Sequence, residues 1–348
     1  MNRVEIESAL WVAALAYFGV GTRILLSYLA IFANETLISR IGVTYFLPNI
    51  LGTFALGLCT TSQALLPKSW QPIAKGFNTG FCGSLTTFST WHLMVGLEVL
   101  NGQWLDALTE SVLVFATSYL ALLAGIQVGS LLTSIFSAKQ MDHPVPGSPV
   151  LFSSRNGHVI HVTTPADENE EKPATEVNAE SVVSSWWYWP VAVLSLVTSS
   201  TWILFAVDTQ RKNFWLAMAF GPFGALLRHL LSFGNQKTPN FPVFTLIANE
   251  VATAANILII IIFNMIQPSA SSSALATFQL WARSGLSTGF MGSLSTVSTW
   301  INELHKLSST KSLSLAYRYG LVTVVFAQII VVGLGAAYEI IAQKHIDF

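Results

Sequence analysis

The sequence has little charge and few cysteines. Of its 348 residues only 10% are charged, whereas 52% are apolar, and the formal net charge is −1. A soluble globule of this size could not bury so many apolar side chains, and no basic stripe is present to neutralise the phosphates of a nucleic acid. These shortages exclude a soluble protein and a nucleic-acid partner. They indicate a polytopic membrane protein that has the lipid bilayer as its solvent.

Several motifs that carry catalysis or energy coupling are also missing. The two cysteines, Cys59 and Cys82, fall in apolar segments and have no metal or redox spacing. The seven histidines form no His-Glu-x-x-His pattern, and no Gly-x4-Gly-Lys-Ser/Thr loop is present to bind ATP. No serine or threonine has a neighbouring His/Asp pair that would activate it as a nucleophile. The sequence therefore predicts a protein that is not an enzyme.

Long hydrophobic runs dominate what is present. A helix needs roughly 20 apolar residues to cross a bilayer, and such runs lie at 9–33, 43–66, 73–95, 105–136, 186–207, 214–235, 241–265, 274–301 and 313–341. The first run follows no basic region and no clear cleavage site, so we expect a retained span rather than a removed signal peptide. The pattern predicts an all-α integral membrane protein with about nine spans.

The runs divide the chain into four parts. Residues 1–136 form a first repeat of four spans, 137–185 an acidic flexible linker rich in polar residues, 186–207 a linking transmembrane helix, and 208–348 a second repeat of four spans. The distribution of Lys and Arg favours a cytoplasmic N-terminus and linker. We expect a multi-pass protein of the plasma membrane.

One sequence pattern occurs twice. Gly80-Phe81-Cys82-Gly83-Ser84-Leu85-Thr86-Thr87-Phe88-Ser89-Thr90-Trp91 returns as Gly289-Phe290-Met291-Gly292-Ser293-Leu294-Ser295-Thr296-Val297-Ser298-Thr299-Trp300. Glycines and hydroxyls inside a bilayer-spanning stretch favour a broken helix beside a polar site. A single linking helix between the copies would give the second copy the opposite orientation in the membrane, so we expect two inverted repeats. We expect their shared site near the midplane of the bilayer, on the broken third helices.

Further residues match in the same order in both halves, as expected of an internal duplication. Gly19-x3-Arg23 pairs with Gly224-x3-Arg228 on the first helix of each repeat. Asn49 pairs with Asn249 on the second helix. On the fourth, Thr117 and Ser118 correspond to the neighbourhood of Thr323.

With this ordered set, the chain resembles the Fluc (CrcB) family of fluoride channels, in the fused two-domain form of eukaryotic fluoride exporters. The resemblance covers nearly the whole chain except the linker. It implies a fluoride-selective passive anion channel that exports F⁻ from the cytoplasm and gives fluoride resistance. It also implies that a single chain is a complete pseudo-dimer.

A small hydrated anion needs closely placed hydrogen-bond donors, and amide, hydroxyl and aromatic-edge groups meet this need without trapping it. In the resembled family each of two pores is lined by an Asn and a pair of Phe residues. Here those positions hold Asn49, Phe88 and Trp91, then Asn249, Val297 and Trp300. Val297 lacks an aromatic ring, so we expect repeat-one residues to dominate transport. The predicted fluoride path comprises Asn49, Phe88, Ser89, Thr90, Trp91, Thr117, Asn249, Ser298, Thr299, Trp300 and Thr323.

The resemblance also implies a structural sodium ion held by four main-chain carbonyls, those of Gly83, Thr86, Gly292 and Ser295. The glycines have an alternative role in close helix packing. Arg23 and Arg228 are expected in an aqueous vestibule that gathers anions, and the alternative for both is an arginine that snorkels to the interface.

A rival function is a proton-coupled exporter of small cations built on inverted repeats. Such a transporter normally buries a carboxylate, and Glu250 and Glu303 are its candidates. Glu303 matches an acidic position of the resembled family, whereas Glu250 has no counterpart there. A proton-gradient dependence that is sensitive to Glu303→Gln would favour this rival.

Overall fold

A computed structural model describes residues 3–32, 45–142, 151–153, 159–161, 209–266 and 273–346 of the chain. The described residues are almost entirely helical. The predicted linking helix at 186–207 lies outside them, as does most of the linker. Within the linker the structure places a two-stranded antiparallel hairpin, β1 (Leu151–Ser153) and β2 (Val159–His161), with Phe152 opposite Ile160.

The first half contains four helical regions. Its helices are α1 (Arg3–Phe32), α2 (Phe46–Ser62), α3 (Gln71–Lys75), a π-helical stretch Gly76–Cys82, α4 (Gly83–Leu85), α5 (Phe88–Leu100) and α6 (Trp104–Asp142). Short 3₁₀ turns, Gln63–Leu65 and Lys68–Trp70, join α2 to α3. Pro48 lies in the first turn of α2 and Pro72 in that of α3, where a missing N–H costs little.

The second half repeats this order. Its helices are α7 (Thr209–Ser232), α8 (Val243–Met265), α9 (Ser273–Leu280), a π-helical stretch Trp281–Met291, α10 (Gly292–Leu294), α11 (Val297–Thr310) and α12 (Leu313–Ala342). A 3₁₀ turn, Phe233–Lys237, follows α7. The Ser312 hydroxyl accepts a hydrogen bond from the Leu315 amide and so caps the last helix.

Five helices of the described part are long and apolar enough to cross a bilayer. They lie at Val4–Leu29, Trp104–Phe136, Arg211–Lys237, Val243–Met265 and Leu313–Ala342. Helix α2 is apolar but shorter, and the predicted spans at 73–95 and 274–301 are each interrupted, so no single helix covers them. Apart from the hairpin, the described part of the chain is therefore all helical, and it has the composition and helix lengths of a membrane protein.

The second segment of each broken third helix packs against the other half. Helix α5 of the first half packs against α8 and α12 of the second, and α11 of the second half packs against α2 and α6 of the first. Helices α1 and α7 also pack against each other. The side chains of α5 and α11 therefore lie between the halves, and any site that they form needs both.

Candidate functional site

Each third helix is interrupted by two extended residues. In the first half these are Thr86 (ψ 152°) and Thr87 (φ −142°), between α4 and α5. In the second half they are Ser295 (ψ 156°) and Thr296 (φ −158°), between α10 and α11. The Thr86 and Ser295 amides still donate to the carbonyls four residues earlier, those of Cys82 and Met291. The second extended residue of each break leaves the helix, so its N–H and C=O groups need other partners.

Asn49 supplies those partners in the first half. The Thr87 amide donates to Asn49 Oδ1 at 2.9 Å, and Asn49 Nδ2 donates to the Thr87 carbonyl at 3.3 Å. Asn249 makes the same pair of bonds with Thr296, at 2.8 and 3.3 Å. Both asparagines are fully buried. One N–H of each side-chain amide donates to the carbonyl at the break, so each asparagine has a single N–H left that can donate to an anion.

The hydroxyls of the repeated motif meet where the two breaks cross. Thr86 Oγ1 lies 3.1 Å from both Thr296 Oγ1 and Ser298 Oγ. On the pseudo-equivalent side, Ser89 Oγ lies 2.9 Å from Ser295 Oγ. The Ser89 and Ser298 hydroxyls are thus bonded across the two halves at the centre of the molecule, and they hold the crossing together.

Thr90 and Thr299 lie one turn further along α5 and α11. Each donates its backbone amide to the hydroxyl that caps its helix, Thr90 to Thr87 and Thr299 to Thr296. These contacts are the N-caps of the two helices, formed by the second extended residue of each break.

Arg23 and Arg228 bind the breaks from the first helix of each half. Arg23 donates to the carbonyls of Gly292, at 2.6 Å, and Thr288, at 2.5 Å. Arg228 donates to the carbonyls of Ser293, at 2.9 Å, and Thr79, at 2.8 Å. Both side chains are only 4% exposed. Snorkelling is therefore wrong for either residue, because the guanidinium groups point into the protein and satisfy helix-end carbonyls.

The glycines of the repeated motif allow this approach. A β-carbon added at Gly83 would collide with the Arg228 guanidinium, and one added at Gly292 would come within 2.6 Å of Arg23 Nη2. Gly80 and Gly289 lie directly against the backbones of Val12 and Ala217. The glycines thus allow close helix packing as well as the approach of the arginines to the breaks.

The four carbonyls expected to hold sodium lie at these same breaks. That of Gly292 already accepts a hydrogen bond from Arg23, and the Arg228 guanidinium lies against Gly83. Of the predicted set Gly83, Thr86, Gly292 and Ser295, two members thus lie beside a fixed positive charge, which disfavours a further cation there. The sodium ion stays a prediction, and no step of transport is derived through it.

Four aromatic rings come together beside the crossing. The ring centroid of Phe88 lies 5.9 Å from Trp91 and 5.5 Å from Trp300, both edge to face, and the two tryptophans are 6.3 Å apart. Phe115, from α6, lies 5.8 Å from Trp300. Val297 is buried in the same cluster but presents no ring. The predicted aromatic residues of both repeats are therefore brought into one group.

The hydroxyls predicted on the fourth helices point mainly at their own helices. Thr117 donates to the Leu113 carbonyl at 2.7 Å, and Thr323 donates to the Tyr319 carbonyl at 2.8 Å. The neighbouring Ser118 is fully buried, and its hydroxyl has no partner among the described residues. Of the two adjacent hydroxyls on α6, Ser118 is the one with a free donor.

A cavity of about 420 Å³ leads to the crossing. Its described lining includes two arginines and no acidic residue, and it reaches the hydroxyls of Thr87 and Thr90. Arg23 borders it, as expected of a vestibule, whereas Arg228 does not border this cavity. The second arginine, the exposed Arg283, was not predicted as a site residue. The cavity offers an anion an entrance of favourable charge.

Sequence reasoning missed other polar residues at the site. Asn256 donates to Ser89 Oγ at 3.1 Å and also borders the cavity. Gln328, on α12, lies 2.8 Å from His92 Nδ1 on α5. Asn256 stands seven residues after Asn249 and so shares its helix face, a signal that could have identified it. The His92–Gln328 contact joins distant segments and has no local signal.

Glu303 and Glu250 differ in their surroundings. Glu303 accepts hydrogen bonds from Thr245 and from Tyr319, each at 2.7 Å. Glu250 is 6% exposed, and neither of its carboxyl oxygens has a partner among the described residues. Glu303 thereby ties α11 to α8 and α12, which is a structural role.

Comparison with known proteins identifies relatives in both halves. Residues 10–126 and 215–336 match the family described as "CrcB-like protein, Camphor Resistance (CrcB)". The "Fluoride export protein 1" of Candida albicans is 29% identical, over 76% of this chain and 62% of the relative. The "Fluoride export protein 2" of Saccharomyces cerevisiae is 26% identical, over 69% of this chain and 70% of the relative.

A bacterial relative matches about a third of the chain. The "Fluoride-specific ion channel FluC 2" of Staphylococcus saprophyticus is 28% identical, over 33% of this chain but 93% of the relative. No solved structure matches the chain. Because the family matches two segments that together make up more than half of the sequence, and these segments contain the matched breaks, the protein belongs to the CrcB-like family.

Proposed function

We propose that the protein is a fluoride-selective passive anion channel that exports F⁻ from the cytoplasm and gives fluoride resistance. The observation that carries the proposal is the crossing of the two broken helices, lined by buried hydroxyl and amide groups and entered from a cavity with two arginines. The names of the relatives, which denote fluoride export and fluoride-specific channels, support the same ion. A channel of this kind is not an enzyme.

We also propose that the two halves are inverted repeats of four spans each, joined by a ninth span at 186–207. Two observations support this arrangement. The bacterial relative matches a third of the chain over 93% of its own length, and α5 and α11 each pack against helices of the opposite half. A single chain would then be a complete pseudo-dimer in the plasma membrane, with the N-terminus and the linker in the cytoplasm.

A passive channel is sufficient for export. Hydrogen fluoride crosses membranes as the neutral acid and dissociates in a near-neutral cytoplasm, which leaves F⁻ trapped inside. An inside-negative potential then drives the anion out with about 2.3 kcal/mol per charge for each 100 mV. The residues need only replace water around the ion and exclude larger anions.

The two halves would contribute unequally. The ring centroid of Phe88 lies 5.5 Å from that of Trp300, in an edge-to-face contact, whereas the equivalent residue of the second half, Val297, has no ring. The positive edge of an aromatic ring attracts an anion, and an aliphatic side chain does not. The path that passes Phe88 would therefore carry most of the fluoride.

The test is fluoride release from liposomes that contain the purified protein and potassium fluoride, started by valinomycin and followed with a fluoride electrode beside a chloride control. Wild type should release fluoride and retain chloride. Phe88→Ala should slow the release by at least about tenfold, equivalent to 1.4 kcal/mol, and the matched Val297→Ala should not. No fluoride release from wild type without a proton gradient would remove the channel. Proton-gradient-dependent transport of a small cation that is lost in Glu303→Gln would support the cation exporter instead.

A further inference from the structure

Trp91 and Trp300 each bury a hydrogen-bond donor that has no partner. Both side chains are at most 1% exposed, and both indole Nε1 atoms lack a hydrogen-bond partner among the described residues. A buried donor without an acceptor is costly, because it has lost its hydrogen bond to water. Native proteins seldom leave such a group unpaired, and its partner can be a bound water molecule or an ion.

The two donors belong to the same aromatic group although they come from opposite halves. Trp91 lies on α5 and Trp300 on α11, and their ring centroids are 6.3 Å apart. Phe88 contacts both rings edge to face. Two unpaired N–H groups thus lie within one small, buried region to which both halves contribute.

Other unpaired donors border this region. The hydroxyls of Tyr45 and Ser118 are buried and have no partner among the described residues. Tyr45 packs in the same hydrophobic cluster as Phe88 and both tryptophans. The unpaired donors of Trp91, Trp300 and Tyr45 therefore share one cluster, and the His92 ring, whose Nε2 is also unpaired among the described residues, lies 4.1 Å from Phe88. Hydrogen-bond donors of this kind suit a dehydrated anion.

An apolar crevice of about 460 Å³ runs between α6 and α12, and both tryptophans border it together with Phe115. The two indoles are nevertheless at most 1% exposed, so they are packed on all sides and their N–H groups are held inside the protein.

We propose that the indole N–H groups of Trp91 and Trp300 bind fluoride directly at the aromatic group. This inference rests on the proposed function. An indole N–H is a stronger hydrogen-bond donor than the C–H edge of a phenyl ring, and fluoride is a small anion that accepts strong hydrogen bonds. The tryptophans therefore add directed donors to the contact that the Phe88 ring edge supplies, and chloride, a weaker acceptor, gains less from them.

The first test removes the N–H group and keeps the ring. The indole of Trp300, and separately that of Trp91, is replaced by benzothiophene through incorporation of 3-benzothienylalanine, which has sulfur at the position of the N–H. We expect fluoride release from liposomes to fall at least tenfold at either site. The same replacement at Trp104, which is 67% exposed on α6 and lies outside the aromatic group, serves as the matched control and should leave the rate unchanged.

Trp300→Phe extends this test with a natural residue, since phenylalanine keeps a ring edge but has no N–H. A rate equal to wild type in the benzothiophene proteins or in Trp300→Phe would overturn the inference. The two proposals fail differently. A wild-type protein that releases no fluoride removes the proposed function, whereas a conducting wild type with conducting variants removes only the role of the indoles.

The second test detects binding without transport. The protein labelled with ¹⁵N-tryptophan is titrated with sodium fluoride, and the indole N–H resonances are compared with a sodium chloride titration. Of the 11 tryptophans in the chain, we expect two to shift downfield with fluoride and not with chloride. Their assignment to Trp91 and Trp300 follows from the loss of each signal in the corresponding Trp→Phe protein. Equal responses to the two salts would overturn the inference.

Discussion

Arg23 Nη1 donates a hydrogen bond to the carbonyl of Gly292, 269 residues further along the chain, at a distance of 2.6 Å. Arg228 makes the reciprocal contact with the first half through the carbonyl of Thr79. The first helix of each half therefore supplies a positive charge to the broken helix of the other. These contacts join the halves as well as satisfying the helix ends.

Arg23→Ala is expected to lower the melting temperature of the detergent-purified protein, since a hydrogen bond to a charged group contributes about 1.5–3 kcal/mol and two are lost. Arg23→Lys should be intermediate, because an ammonium keeps the charge but not the planar fork of donors. Thermal unfolding followed by size-exclusion chromatography measures both. Lys311→Ala, at an exposed residue remote from the breaks, is the control. An Arg23→Ala protein with the same melting temperature as wild type would show that the Arg23 hydrogen bonds do not stabilise the fold.

Gly83→Ala should disrupt the break, because the added methyl group would occupy the position of the Arg228 guanidinium. We expect a lower melting temperature and loss of fluoride release. Gly333→Ala is the matched control, since a β-carbon there meets nothing within 4 Å. If both substitutions have the same effect, the close approach of Arg228 to Gly83 is not what requires glycine.

Comparison of Asn49→Asp with Asn249→Asp distinguishes the effect of these residues on stability from their effect on fluoride transport. In each, the carboxylate still accepts from the amide of Thr87 or Thr296 but no longer donates to the carbonyl. We expect both to lower the free energy of unfolding by a similar amount, of the order of 1–3 kcal/mol, and so to lower the melting temperature alike. Fluoride release should fall much further in Asn49→Asp, because that half contributes Phe88. Equal rates in the two variants would argue for two equivalent paths.

Arg283→Ala should reduce the entry of fluoride. Arg283 is exposed and borders the cavity that leads to Thr87 and Thr90. A fixed charge at an entrance raises the local anion concentration, and salt screens it with a Debye length of about 10 Å at 0.1 M. Fluoride flux at low ionic strength should fall several-fold, and the difference from wild type should shrink at high salt. A salt-independent defect would point to a structural role.

Replacing sodium by N-methyl-D-glucamine throughout purification and assay should leave both melting temperature and fluoride release unchanged. The reason is that Arg23 already donates to the Gly292 carbonyl and Arg228 lies against Gly83. Potassium and lithium serve as further comparisons. A melting temperature that rises with sodium alone would instead support the predicted ion at the carbonyls.

The sequence predicted the positions of the helical segments well. The runs at 105–136, 241–265 and 313–341 correspond to α6, α8 and α12, because long apolar stretches in a chain of low charge have only one stable conformation in a bilayer. The repeated motif likewise identified the segments in which the helices are interrupted at Thr86–Thr87 and Ser295–Thr296. The similarity between the two copies of the motif was a sufficient signal for both breaks.

The partners of the site residues could not be predicted in the same way. Arg23 was expected in a vestibule, and it does border the cavity, but its guanidinium binds carbonyls of the opposite half. Asn49 was expected to donate to an anion, and most of its hydrogen-bonding capacity is used by Thr87. Each of these contacts joins segments distant in sequence, and composition and spacing carry no signal for such pairings.

What the sequence by itself determined is the class of protein, its two related halves and the segments that break, since each follows from local hydrophobicity and from internal repetition. What only the tertiary structure decided is how the halves are combined. The packing of α5 and α11 into opposite halves brings Phe88, Trp91 and Trp300 together and leaves the two indole N–H groups unpaired. Whether a buried donor finds a partner depends on every helix packed around it, and only the assembled fold determines those neighbours.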